Sequence, residues 1–211
     1  MIEAIKYSAS GDNIGKVELP ETLFAVTCNN PNALLYEVIN MYRANQRQGT
    51  VCKQTRGEVQ GSTRKLFAQK GSGRARMGNL RTPLRHGGGL AFPPRPHDWS
   101  RPIPTKKKRL ALKIALSMKA KLENICLVES INFAKPSTKQ ALDLIRKIAP
   151  EKGRKLLVIN DSNVSNVNSF ANIPDVDLDR ADRLFAYEVL RCKYLIITVD
   201  ALEKIQEVFV K

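Results

Sequence analysis

Arginine and lysine side chains are dense between Arg43 and Lys121, where twenty of them accompany only two acids, for a net charge of +18. The rest of the chain carries fifteen basic and eighteen acidic residues, a net charge of −3. Guanidinium and ammonium groups bind phosphate, and so many of them in one segment require a partner with many phosphates. The pattern therefore predicts a polyanion, most simply a nucleic acid, as the partner of this segment.

No group of residues has the spacing of a catalytic or metal site. Ser72, His86 and Asp98 are residue types found in hydrolytic sites, but no motif brings them together. The four cysteines lack CxxC spacing, and Gly71 and Gly73 fit neither the dinucleotide-binding nor the P-loop pattern. An RNA-processing enzyme would need a glycine loop after a strand and convergent acids. We therefore predict no enzyme activity, no cofactor and no metal.

Residues 46–104 have the composition of an extended loop. From Gly49 to Pro104 the chain holds nine of its twelve glycines and six of its eleven prolines, without apolar periodicity. Such a segment cannot bury enough apolar surface to offset its ordering entropy. We predict an extended RNA-binding loop over residues 46–104, inserted in a globular body formed by residues 1–45 and 105–211. If the loop runs out and back, each limb of about 28 residues spans at most ~90 Å.

Apolar runs and helical periodicities alternate along the predicted body. The expected strands cover residues 1–8, 16–19, 125–129, 156–160, 176–178 and 194–199. The expected helices run from Pro31 to near Gly49, from Thr105, from Ser137 to Ile148, around Val167, over residues 183–191 and from a capping box at Asp200 and Glu203. This order predicts an α/β fold: a mostly parallel sheet with helices on both faces, as a Rossmann-like three-layer body.

The helix after Thr105 has two contrasting faces. Its predicted apolar stripe consists of Leu110, Ala111, Ile114, Ala115, Met118 and Leu122. The remaining positions are basic: Lys106, Lys107, Lys108, Arg109, Lys113, Lys119 and Lys121. We expect the stripe to face the core and part of the basic face to contact phosphate.

The ends of the chain and its apolar runs predict no membrane partner. The first residues lack the pattern of a signal or transit peptide, and no apolar run approaches the roughly 18 residues of a membrane span. We expect a soluble protein.

Glycines and aromatic residues suggest how RNA would meet the loop. Glycines at 71, 73, 78 and 87–89 leave no side chain between the backbone and a close neighbour, so RNA backbone could approach there. Phe67, Phe92 and Trp99 either stack on bases or form small clusters at the base of the loop. The sequence leaves both alternatives open.

Four runs of residues resemble one family. They are QKGSGRAR at 69–76, RTPLRHGGG at 81–89, PRPHDWS at 94–100 and KKKRLAL at 106–112, with weaker similarity over the whole chain. The chain resembles the bacterial and plastid-type large-subunit ribosomal protein L-four family. The resemblance implies an α/β body, and a loop threaded through large-subunit rRNA to the wall of the peptide exit tunnel. Its implied partners are that rRNA, neighbouring ribosomal proteins including L-twenty-two, and the nascent peptide.

The charge pattern and the resemblance together give the candidate site residues. The predicted RNA-binding residues are Arg47, Lys53, Arg56, Arg64, Lys65, Lys70, Arg74, Arg76, Arg81, Arg85, His86, Arg95, Lys106, Lys107, Lys108 and Arg109. By resemblance, the tunnel tip comprises Arg64, Lys65, Gln69, Lys70, Gly71 and Gly73.

The chain departs from the family pattern just before Gln69. Leu66, Phe67 and Ala68 stand where the family usually has Pro-Trp-Arg, which retains an aromatic ring but removes one cation and a rigid turn. The sequences of residues 81–85 and 98–100 are similar to those of plastid members of the family. We therefore expect a ribosome in the plastid stroma, with the bacterial cytoplasm as the alternative. An RNA-binding regulator acting outside the ribosome is the alternative function.

Overall fold

The chain forms two compact units in the computed structural model, which describes residues 2–131, 133, 135–160 and 164–209. The first unit, here called the body, comprises Met1–Arg43 and Pro102–Lys211. The second, here called the loop unit, comprises Ala44–Arg101. Each unit is described by itself below.

The body contains a mixed six-stranded sheet. In chain order its strands are β1 (Glu3–Tyr7), β2 (Asn13–Glu18), β3 (Ile125–Val128), β4 (Lys155–Ile159), β5 (Val176–Arg180) and β6 (Tyr194–Thr198). They lie in the order β2-β1-β3-β6-β4-β5. The β1–β2 pair is an antiparallel hairpin, and the pairs β1–β3, β3–β6, β6–β4 and β4–β5 are parallel. The predicted α/β class is confirmed.

Seven helices of the described chain accompany the sheet. They are α1 (Glu21–Phe24), α2 (Pro31–Asn45), α3 (Thr105–Lys121), α4 (Thr138–Ile148), α5 (Val164–Phe170), α6 (Ala186–Arg191) and α7 (Val199–Phe209). Helix α2 starts at Pro31 as predicted but stops at Asn45, four residues before Gly49. Helix α4 begins after Ser137, whose hydroxyl accepts a hydrogen bond from the Gln140 amide, so this predicted cap is confirmed.

Strand residues alternate between two apolar clusters, because successive side chains of a strand point to opposite faces. On β4, Leu156 and Val158 belong to a cluster with residues of α1, α2, α3, α6 and α7. Leu157 and Ile159 belong to another cluster, with residues of α4 and α5. The sheet therefore carries helices on both faces, and its central strands are buried on both sides.

Two predictions for α3 and one for α7 are wrong. Leu122 was expected in the apolar stripe but is 65% exposed, because the helix ends at Lys121 and Leu122 is its C-cap. Lys119 was expected on the basic face but is buried, where its Nζ donates to the backbone oxygen of Cys192 at the end of α6. The hydroxyl of Thr198, not Asp200, caps α7 by accepting from the Ala201 amide.

A pair of carboxyl groups lies between α6 and β5. Burial, followed by the neighbouring carboxylate of Asp179, raises the pKa of Glu188 to about 8 from an ordinary value of 4.5. An acid whose pKa is raised on folding holds its proton more tightly in the folded state. The stabilisation is therefore complete below about pH 4.5 and is lost as the pH rises through about 8.

Replacing Glu188 with glutamine should make the stability of the body less dependent on pH, since glutamine stays neutral and can still donate to Asp179. As the pH rises from 5 to 9, the unfolding free energy of the variant should increase relative to that of the wild type. We expect a change on the order of 1 kcal/mol, once solvent screening of this partly exposed group is allowed for. Urea unfolding at both pH values measures this difference. Glu203→Gln, on exposed α7 surface, is the control. Equal pH dependence of the unfolding free energy in Glu188→Gln and wild type would contradict the raised pKa of Glu188.

Candidate nucleic-acid interface

Backbone hydrogen bonds join the two limbs of the loop unit side by side. His97 donates to Gly49, Leu90 to Gln54 and Leu66 to Gly78, with N to O distances of 3.0, 3.1 and 3.0 Å. The outgoing limb therefore runs from about residue 49 to 66, and the returning limb from about 78 to 97. We call residues 66–78, which connect them, the tip. No named helix or strand lies between Asn45 and Thr105.

Gly89 of the returning limb lets the two limbs approach, and Gly88 packs against its own limb. A Cβ on Gly89 would lie 2.5 Å from the backbone nitrogen of Arg56 and the backbone carbon of Thr55, and a Cβ on Gly88 would overlap the carbonyl oxygen of Thr82. The close neighbours of Gly88 and Gly89 are thus the protein's own backbone. This packing accounts for the absence of a Cβ at these two positions, and the approach of RNA backbone there stays a prediction.

The tip is open. Gly71 and Gly73 have φ of +83° and +62°, in the left-handed region that favours glycine, and no atom lies within 4 Å of the position a Cβ would take. Nearby, Lys65 Nζ donates to Gln69 Oε1 across the start of the tip. The guanidinium of Arg74 lies 5.9 Å from the centre of the Phe67 ring. The tip thus combines exposed backbone with cationic side chains.

The base of the loop unit is held by an aromatic cluster. The guanidinium of Arg47 stacks 3.5 Å from the centre of the Trp99 ring, and the His97 ring packs edge-on against the same ring, with centroids 4.8 Å apart. Of the two alternatives for Trp99, the structure therefore shows a small cluster at the base of the loop. Phe92 differs, since it is 99% exposed.

Both acids of the loop unit are held ionised by neighbouring groups. Glu58 accepts from Arg95 at 2.6 Å and from the Thr55 amide at 2.9 Å, and these bonds lower its pKa, while the Glu58 carboxylate raises the pKa of Arg95. Asp98 accepts from the hydroxyl and amide of Ser100, which lowers its pKa. Against these two acids stand twelve arginines and lysines, so the unit carries a net charge of +10. Only Glu58 forms an ion pair among the described residues of this unit.

Most predicted RNA-binding residues are exposed. In the loop unit they are Arg47, Lys53, Arg56, Arg64, Lys65, Lys70, Arg74, Arg76, His86 and Arg95, and on α3 they are Lys106, Lys107 and Arg109. Arg81, Arg85 and Lys108 are only partly exposed. Lys107 forms an ion pair with Glu37 on α2, with an Nζ to Oε1 distance of 2.9 Å. The cations thus form a dense surface in the loop unit and a second group at the start of α3.

A sequence model of the Ribosomal protein L4/L1 family matches residues 17–208. The large ribosomal subunit protein uL4 of Carboxydothermus hydrogenoformans is 42% identical over 203 residues, covering 96% of this chain and 97% of the relative. The uL4 proteins of Alkaliphilus metalliredigens and Desulforudis audaxviator are each 39% identical, over 96% and 99% of this chain and 97% and 99% of their own lengths. The chain belongs to the ribosomal protein L4 family. It is a structural protein of the large ribosomal subunit and not an enzyme.

The candidate catalytic and metal-ligating residue types lie apart in the described residues. No hydrogen bond joins Ser72, His86 and Asp98 to one another in the part of the chain that the structure describes, and no group of His, Cys, Asp or Glu there could hold a metal ion. All four cysteines are free. No described helix combines the length and apolar character needed to cross a membrane.

Two polar atoms of the returning limb are buried, which the sequence did not predict. Asn79 Oδ1 and Arg81 Nε are both buried and make no hydrogen bond in the described chain. A buried polar group without a partner is costly. Arg81 is predicted to bind RNA, and in the structure it is only partly exposed, beside Gly61, where its side chain covers the outgoing limb. The burial of Arg81 could not be predicted from the sequence, because its contact with Gly61 joins residues twenty positions apart.

Proposed function

We propose that this L4-family protein binds large-subunit rRNA through the loop unit and the basic start of α3, and that it supports assembly of the subunit. The observation that carries this proposal is the +10 net charge of the loop unit, whose two limbs are hydrogen-bonded to each other. Because Glu58 and Asp98 are engaged within the unit, most of its cations lack an internal counter-charge. RNA phosphates would supply that counter-charge, and the release of their counterions would drive binding.

The tip is proposed to line the peptide exit tunnel, where it would meet the nascent peptide and the ribosomal protein L-twenty-two. Exposed backbone at Gly71 and Gly73, flanked by Lys70 and Arg74, supports this role, since such a surface can follow an irregular RNA wall. Leu66, Phe67 and Ala68 give the start of the tip less charge than the usual family pattern. The Phe67 ring beside Arg74 retains an aromatic contact.

We also propose a Rossmann-like three-layer body and ribosomes of a bacterial cytoplasm. The parallel pairs β1–β3–β6–β4–β5, with helices on both faces, support a Rossmann-like three-layer body. The named relatives are bacterial, which favours ribosomes of a bacterial cytoplasm and gives the expected plastid stroma no support.

The salt dependence of rRNA binding tests this function. If about eight phosphates are neutralised at ~0.7 each, the logarithm of affinity should fall against the logarithm of salt concentration with a slope of about −5 or steeper. Arg74→Gln should make this slope shallower by about 0.7, because one phosphate contact is lost. Filter binding of a large-subunit rRNA fragment at four or more salt concentrations gives the slope.

Arg74→Lys is the matched control, since it keeps the charge at the same position. It should retain the wild-type slope even if its affinity falls through the lost planar fork. A slope near zero for the wild-type chain would refute phosphate binding. Identical slopes for Arg74→Gln and wild type would show that this side chain does not contact phosphate.

A further inference from the structure

A cleft of about 550 Å³ lies in the loop unit where the two limbs are joined. Its walls come from residues 52–54 and Val59 of the outgoing limb and from Gly87, Gly88 and Leu90 of the returning limb. The volume falls within the range of about 300–1,000 Å³ that small-molecule sites occupy. The cleft is therefore large enough for a group of the size of one nucleotide.

The walls of the cleft are fixed by the backbone. Leu90 donates to Gln54 at 3.1 Å, and Lys53 donates to Pro94 at 3.2 Å. Gly88 donates to Arg85 at 3.0 Å. Arg95, which holds Glu58, also approaches Cys52 of the lining, with 3.7 Å between Nη1 and Sγ. The opening is thus built into the pairing of the limbs.

The chemistry of the lining suits an unstacked nucleotide. Val59 and the half-exposed Leu90 offer apolar surface to a base. The amide side chain of Gln54 can both donate to and accept from a base edge, as single-stranded RNA readers require. Lys53 is exposed and makes no side-chain bond within the residues that the structure describes, so its ammonium can meet a phosphate. No carboxylate lines the cleft, which favours an anionic occupant.

We propose that this cleft receives a single unstacked nucleotide of large-subunit rRNA, with its base against Val59 and Leu90 and its phosphate at Lys53. The inference rests on the proposed rRNA binding by the loop unit and adds a specific site to it. Phosphate contacts along the limbs would give affinity without selecting a sequence, whereas a base bound at Gln54 would fix the register of the loop on the RNA. The cleft thus acts as a positioning site for the loop.

Two measurements on large subunits that contain this chain test the inference. The first tethers an iron chelate to Cys52 in a Cys28→Ser chain and maps the rRNA positions cut by hydroxyl radicals. Cys28 and Cys52 are the exposed cysteines, whereas burial raises the pKa of Cys126 and Cys192 to about 11 and keeps these thiols unreactive. The cuts identify the rRNA next to the cleft.

The second measurement fills the cleft with Val59→Phe and compares base reactivity toward chemical probes with that of wild-type subunits. We expect one or two nucleotides among those cut from Cys52 to become about fivefold more reactive, because a base excluded from the filled cleft is exposed to the probe. Val51→Phe is the control, since Val51 is 64% exposed and lies outside the cleft lining. It should leave reactivity unchanged. If Val59→Phe is not incorporated, Leu90→Trp fills the same space from a half-exposed position.

The outcomes separate this inference from the function on which it rests. Unchanged reactivity, or a change spread over many rRNA helices, with cuts from Cys52 still present would overturn the nucleotide site and leave rRNA binding intact. No cut from Cys52 would contradict rRNA binding by the loop unit itself.

Discussion

Replacing Phe170 with alanine is expected to destabilise the body by about 3–5 kcal/mol, the usual cost of emptying a buried phenylalanine site. Phe170 is fully buried in the cluster beneath α4 and α5, and its ring lies 5.9 Å from that of Phe133. Removing it takes away apolar contact with the sheet and leaves a cavity that close-packed neighbours fill only partly. Urea unfolding monitored by circular dichroism measures the change.

Phe92→Ala is the matched control because it removes the same side chain from the surface of the loop unit. Phe92 is 99% exposed, so the unfolding free energy should change by less than about 0.5 kcal/mol. The same variant decides the alternative that the sequence left open for this residue. A fall in rRNA affinity would show that Phe92 stacks on a base, and unchanged affinity would show that it does not. Equal destabilisation by Phe170→Ala and Phe92→Ala would contradict the assigned core.

Gly89→Ala should weaken rRNA binding by about tenfold, since an added methyl group forces the limbs apart at a cost of about 1–3 kcal/mol. Its Cβ would lie 2.5 Å from the backbone of Arg56 and Thr55, where no flexible side chain can move aside. The limbs would separate and the neighbouring Leu90 to Gln54 hydrogen bond would be lost, so RNA would have to order a looser loop. Filter binding at fixed salt measures the loss.

Gly57→Ala provides the comparison within the same limb. A Cβ at Gly57 would have only the Thr55 hydroxyl as a neighbour, at 3.9 Å, and the backbone there does not need a positive φ. This variant should bind rRNA like the wild type, and both variants should leave the unfolding of the body unchanged. Equal binding by Gly89→Ala and wild type would show that the paired limbs are not the form that binds RNA.

Local chemistry made much of the body predictable. Pro31 and Ser137 mark helix starts because a fixed φ and a capping hydroxyl act within one turn. The buried strands β3, β4 and β6 are apolar runs that alternate with helices, which is enough for the α/β class. The short helix α1 was not predicted, since four residues cannot show a helical period, although its Leu23 and Phe24 are both fully buried.

Contacts between distant residues account for what the sequence could not predict. Lys119 looks like its exposed neighbour Lys121, but it meets the end of α6, 73 residues away. The run of glycines at 87–89 looks uniform, yet Gly87 faces open space while Gly88 and Gly89 back onto other parts of the loop unit. The excess positive charge of the loop unit could be predicted, because it follows directly from the composition of that segment. The pairing of individual cations, as for Lys107 with Glu37 and Arg95 with Glu58, depends on the fold.

An electron cryo-microscopy map of the large subunit that contains this chain would show where the loop unit lies. We expect the paired limbs of residues 49–97 among rRNA strands, with Lys70, Arg74 and Arg76 at phosphates and residues 66–78 at the wall of the exit tunnel. A map in which this segment lies on the surface of the subunit and contacts no nucleotide would contradict this expectation.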